Sequence, residues 1–386
     1  MKKLTPIVAL TCVFMLACCF VLFGAISVGL MKNLGMDAKQ WSMIPAIFLY
    51  TACLVQFFIG AVTDKVGHKI IALLGFIVIA LSILLIRSAA SVSALYVSAA
   101  LLGMGAMAAN TVGNTIIPQV LFEGKDPARA SNFGNGFFGL GLFVAPLIIN
   151  FAPDYKVGLM ILFALNLLFL ILALLADFPP AALGYRFSTA AKMLTQPAVL
   201  VAALALMCYI GLEMSMSNWT NPLMNELFTK AQAADPAKSA ATVLSVFGLS
   251  MTIGRFIASA IKNLTAKGVK VIITVSAIAI AALLVLRFAQ SPALAILAVV
   301  IVGLSFAPIF PTVVGVTFGK YESKYYGSIF GIIFAVGLFG GGLVQNLIGA
   351  MAGESVQSAF IVLAVAAAVL LIISLLMEKA KAKPIE

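Results

Sequence analysis

Glu213 is the residue whose chemistry is hardest to ignore. It sits in YIGLEMSMSNW, within the apolar run PAVLVAALALMCYIGLEMSMSNW that starts at residue 197. If that run crosses a bilayer, a carboxyl there costs at least about 2.5–3.5 kcal/mol near the bilayer centre. An acid kept at such a cost is expected to shuttle a proton, pair with a cation or hydrogen-bond a polar ligand. The competing reading is snorkelling. Residue 213 lies sixteen residues into the run, about 24 Å at 1.5 Å per residue. That places it toward the far edge of a ~30 Å core, where the carboxylate meets water. Arg87 and Arg287, at the ends of other runs, are conceivable structural partners.

The other polar candidates are amides and an indole. Asn110 and Asn114 are four apart, and Asn132 and Asn135 three apart, so each pair shares a helix face. Gln56, Trp219 and Asn346 complete the set. Amides donate and accept hydrogen bonds, and aromatic rings cover apolar sugar faces. Together they suit a neutral polyhydroxylated ligand. The plainer alternative is that buried amides bridge helices.

The elements that must position these residues follow from composition. The chain has 386 residues, 63% hydrophobic and 10% charged. Soluble domains carry about 25% charged residues, so this is a membrane chain. Twelve runs near the ~20 residues of a spanning helix are predicted: 6–31, 40–62, 69–88, 93–117, 131–150, 157–177, 197–219, 239–261, 269–288, 292–316, 327–349 and 356–377. With both termini cytoplasmic, seventeen basic residues, Arg255 among them, fall on inner segments and seven on outer ones. That excess follows the positive-inside rule. It also accounts for the net charge of +11 without a nucleic-acid partner. The expected location is the cell inner (plasma) membrane. The expected class is an all-α membrane protein of two pseudo-symmetric six-helix bundles, 1–177 and 197–386, joined by a cytoplasmic linker at 178–196. The stretch 225–240 is expected to be an outer loop.

The halves echo each other. GAVTDKVGHK at 60–69 has a counterpart in GRFIASAIKNLTAKGVK at 254–270, and runs 5 and 11 are both laced with glycine. Pro308 and Pro311 are expected to kink run 10. Internal repeats with interrupted helices point to a secondary transporter whose site lies between the halves. The loop pattern at Gly60, Asp64, Lys65, Gly67 and Lys69 resembles the signature loop of the major facilitator superfamily. That resemblance implies the major facilitator fold and a gating role for Gly60, Asp64, Lys65 and Gly67, with Arg255 grouped with them in the second half.

Three segments are similar to the fucose–galactose–hexose proton symporter branch of that superfamily. They are YIGLEMSMSNW, GLSFAPIFPT (303–312) and SNFGNGFFGLG (131–141). Asn132 matches the first position of the branch's N-x-x-Q pattern and Asn135 replaces the glutamine, which implies a sugar contact. The branch's span-4 glutamate is absent, with Asn110 in its place, and FGAISVGL in run 1 carries no acid. This leaves Glu213 as the coupling candidate. The expected function is proton-coupled transport of a small neutral solute, a sugar foremost. An efflux carrier for amphipathic compounds is the alternative, and a non-transporting sensor a more distant one. The expected partners are the solute, a proton and the bilayer, and the chain is read as a monomer. The five cysteines lie in apolar runs without metal-ligand spacing. No phosphate-cradling or nucleophile motif occurs, so neither a cofactor nor an enzymatic activity is implied.

Overall fold

The computed structural model describes residues 4–36, 38–179, 191–351 and 355–382. Most of the expected linker, residues 180–190, lies outside the described residues, as do some side chains within helices, including that of Asn346. The described chain is helical, with twelve helices long and apolar enough to cross a membrane. Spans 1 to 6 are Leu4–Leu34, Ala38–Val66, His68–Ser88, Val92–Val120, Pro127–Phe151 and Tyr155–Leu175. Spans 7 to 9 are Pro197–Lys230, Pro236–Ser259 and Leu264–Phe288. Span 10 is made of two pieces, Pro292–Phe306 and Ile309–Phe318. The break falls at Pro308, which lacks an N–H and whose ring displaces the carbonyl four residues back. Span 11 is Tyr326–Met351, and span 12 comprises Val356–Ala359 and Ile361–Lys379.

Local sequence starts and stops these helices. Ser91 and Ser291 cap spans 4 and 10 by accepting from Ala94 N and Leu294 N. Asp154 and Ser355 cap spans 6 and 12 by accepting from Val157 N and Ser358 N. Each cap satisfies one of the orphan donors of a helix start. Spans 2 and 3 meet at Gly67, with φ 92°, where a side chain would be strained. The matching turn before span 9 uses Asn263 at φ 56°.

Span 7 corrects the sequence reading. It continues past 219 to Lys230, so residues 225–230 are helix and only 231–235 connect it to span 8. Glu226 and Lys230 pair at 2.6 Å across one turn there, and Glu226 also accepts from Ser355 Oγ at 2.8 Å. The segment looked like loop because it is polar. In the helix these charges are partnered, since residues four apart share a face.

The packing repeats between the two runs of six spans. Span 4 packs on spans 1, 2 and 3, and span 6 on spans 1 and 3. Likewise span 10 packs on spans 7, 8 and 9, and span 12 on spans 7 and 9. By contacts the chain forms two units, 1–124 with 137–191 and 323–331, and 125–136 with 192–322 and 332–386. The first turns of spans 5 and 11 are therefore exchanged relative to a simple division of the sequence. In the first unit, a Cβ on Gly60 would overlap the carbonyl oxygen of Gly327. In the second, a Cβ on Gly340 would overlap that of Met207. Small residues let backbones meet where lipid offers no hydrophobic drive for association.

Candidate functional site

Within span 7 sixteen residues precede Glu213 and seventeen follow, so it lies at the middle of the helix. Among the described residues no other Asp or Glu lies so deep in a helix. Its Oε1 accepts from Arg255 Nη2 at 3.0 Å. The Arg255 side chain is 4% exposed and that of Glu213 26%. Arg255 is thus not an inner-loop cation, as its sequence position suggested. It lies within span 8, a turn before the end, and its aliphatic stem reaches from there to the acid. Arg87 and Arg287 are not the partner found at Glu213.

Arg255 also touches span 5. Its Nη1 donates to the carbonyl of Asn135 at 3.4 Å. Tyr209, one turn before Glu213, is fully buried within electrostatic reach of both charges. Its ring lies 6.1 Å from Phe306 and 6.3 Å from Phe310, beside the break in span 10. The pair therefore joins spans 7, 8 and 5, with an aromatic wall from span 10. Only the acid is partly open. Arg255 is buried, and Glu213 is the more exposed member of the pair.

The amides fall into two groups. In the first unit, Asn110 Nδ2 donates to Gln56 Oε1 at 3.1 Å, and Gln56 Nε2 donates to Thr111 Oγ1 at 3.3 Å. Asn114 Nδ2 donates to Asn110 Oδ1 at 2.8 Å. His68 and Thr115 extend the ladder at 3.0 Å. Gln56, Asn110 and Asn114 are all buried and tie span 2 to span 4. In the second unit, Asn132 Nδ2 donates to Thr312 Oγ1 of span 10 at 2.9 Å, and Asn135 Nδ2 bonds back to Ser131 of its own helix. Asn135 thus stands next to the charged pair through its carbonyl, and Gln56, Asn110 and Asn114 bond to one another. Trp219 is half-buried further along span 7. Asn346 lies in span 11, its side chain outside the described residues.

The loop residues form a compact contact of their own. Asp64 accepts from Gly327 N at 2.9 Å, Ser328 N at 2.7 Å and Ser328 Oγ at 2.7 Å. Its carboxylate caps the first turn of span 11, where helix-dipole charge favours an anion. Gly60 and Gly327 make the approach possible, Gly67 turns the chain and Lys65 is exposed.

Comparison with known proteins decides the family. The sequence matches the Major Facilitator Superfamily over residues 8–345. The chain belongs to the major facilitator superfamily. No curated protein matches the sequence significantly. Among solved structures, it is similar to the major facilitator superfamily transporter FucP in the outward conformation. That match has a TM-score of 0.80 and 20% identity, over 96% of this chain and 98% of that one. A variant of the E. coli fucose:proton symporter FucP matches at TM-score 0.77 and 19% identity, over 97% and 99%. The human organic anion transporter MFSD10 (TETRAN) matches at 0.71 and 16%, over 97% and 99%. At these identities the likeness establishes the fold. This superfamily member is a multi-pass membrane transporter and not an enzyme.

Two features escaped the sequence reading. One is the partnership of Arg255 with Glu213, which joins residues 42 positions apart. The other is Asp126, whose DPAR context announces a helix start but not the distant helix it also caps.

Proposed function

We propose that this superfamily member is a proton-coupled transporter of a small neutral polar solute, a sugar foremost, with Glu213 as the coupling acid. The observation that carries this reading is the half-open ion pair: a mid-span carboxylate whose cationic partner is buried. Paired, the two charges cancel. When Glu213 takes up a proton, the pair loses its attraction and Arg255 is left to hydroxyl or carbonyl acceptors. A polyhydroxylated solute supplies such acceptors, so solute and proton favour each other's binding. Asn135 and the aromatic wall of Tyr209 and Phe310 are the neighbouring groups suited to such a ligand. The similarity to a fucose:proton symporter agrees with this choice. The chain is read as a monomer in the inner membrane, both termini cytoplasmic, the orientation the positive-inside rule favours.

The test uses purified protein in liposomes loaded with a pH-reporting dye. Neutral monosaccharides, sugar acids, amino acids and amphipathic cations are added outside in turn. A neutral sugar is expected to drive proton entry. Proton entry with none of the sugars, together with proton exit driven by amphipathic cations, would replace this reading with the efflux one.

A further inference from the structure

Tyr209 stands beside the ion pair without bonding to it. It lies four residues before Glu213 on span 7, so the two share a helix face. Its side chain is fully buried. Its hydroxyl is close enough to Glu213 and to Arg255 to interact with each. Yet it has no hydrogen-bond partner among the described residues. Glu213 instead accepts from Arg255 at 3.0 Å, and Arg255 donates onward to the Asn135 carbonyl at 3.4 Å. Buried polar atoms are nearly always bonded, so a hydroxyl left over beside two charges calls for a use. The ring packs on Phe306 and Phe310, which holds the hydroxyl where it is. The other charged residues on the spans packed against span 7 lie in end turns: Lys238 of span 8, and Glu378 and Lys379 of span 12. Spans 10 and 11, which also touch span 7, carry none.

We infer that Tyr209 is the positioning residue of this pair: its hydroxyl takes over Arg255 when Glu213 is protonated. This rests on the reading of Glu213 as the coupling acid. One proton passes from water to a Glu213 carboxylate oxygen, and the charge of the pair goes from zero to plus one. The guanidinium loses its anionic acceptor. The Tyr209 oxygen then accepts from an Arg255 N–H, and its own O–H donates to the carbonyl oxygen of the neutral carboxyl. The buried cation is thereby never left without an acceptor, which would be costly. The hydroxyl makes no bond while the pair is closed and gains bonds when it opens, so it stabilises the protonated state alone. A solute hydroxyl offers Arg255 the same kind of acceptor, and the tyrosine holds the opened pair until the solute arrives. Phenylalanine at 209 fills nearly the same space without the oxygen and leaves the closed pair as it was.

The test needs no transported solute. The full chain in lipid nanodiscs is titrated by infrared difference spectroscopy, and the carbonyl stretch of protonated carboxylic acids is followed with pH. The band of Glu213 is the one lost in Glu213→Gln. In Tyr209→Phe its midpoint is expected to fall by about one pH unit, the equivalent of one hydrogen bond to a charged group. The sign follows from the state the hydroxyl serves: without a partner for the protonated form, the proton leaves more readily. In the parent protein a tyrosine band should move with the same midpoint as the Glu213 band. The thermal unfolding midpoint, measured where Glu213 is ionised, should not fall in Tyr209→Phe. An unchanged Glu213 midpoint in Tyr209→Phe, with or without lost stability, would make the hydroxyl merely structural. That overturns the inference and leaves Glu213 as the coupling acid. The absence of any Glu213-dependent band across the titration would instead remove the acid's proton, and both readings would fall together. If Tyr209→Phe does not fold, the parent decides: tyrosine bands that stay constant through the Glu213 midpoint overturn the inference.

Discussion

In the first six spans the buried polar groups form a ladder of neutral amides and hydroxyls, running from Gln56 through Asn110 to Asn114. In the second six they include a charged pair, Glu213 with Arg255, one end of which is partly open. The helix packing around the two is of the same kind. Amides and hydroxyls that bond to one another tie their helices together and carry no charge themselves. In the proposed mechanism, protonation of the carboxylate switches its pairing with the buried guanidinium. One packing scheme thus carries hydrogen-bonded amides in one half and an ion pair in the other.

Mutations that break this contrast rank by what they leave buried. Arg255→Met comes first. It strands a mid-span carboxylate, and removing one partner of a buried pair costs about 3–5 kcal/mol. The lower end of that range is expected, because Glu213 keeps some access to water. The check is a thermal unfolding midpoint in detergent alongside proton-coupled uptake, and both should fall. Asn110→Leu comes next. It removes a donor to Gln56 and an acceptor for Asn114, and leaving a buried polar group unsatisfied costs about 1–3 kcal/mol. Stability should drop while the ratio of protons to solute stays as in the parent, measured in the same liposomes. A changed ratio would give the ladder a part in coupling. Ser91→Ala and Ser291→Ala are the smallest and sharpen the comparison from the other side. Each removes the cap of a corresponding helix, at about 1 kcal/mol. Similar losses in the two variants would confirm that the halves share their local architecture and differ in their polar interior.

Much of the fold was legible because lipid makes strict demands. Hydrocarbon requires about twenty apolar residues per span and satisfied backbones, so the spans stand out in the sequence. Gly67 was legible as a turn because its φ of 92° suits glycine. The end of span 7 was not, since Glu226 and Lys230 read as loop until their partners on the helix and at Ser355 are known. Glu213 was legible as a candidate because an acid among apolar residues is conspicuous. Its partner was not: Arg255 lies a turn from a loop, where basic residues are expected anyway, and only folding brings spans 7 and 8 together. The amides of spans 2 and 4 show the converse. Their types and spacing fit a ligand cavity and a helix strut equally, and in the structure they bond to one another.

The coupling role of Glu213 is tested most directly by comparing two modes of transport in the Glu213→Gln variant. With the cognate solute, counterflow exchange is measured without a pH gradient, and accumulation is measured with an imposed one. Retained exchange with loss of gradient-driven accumulation is the expected result. Accumulation that still follows the pH gradient in Glu213→Gln would contradict it.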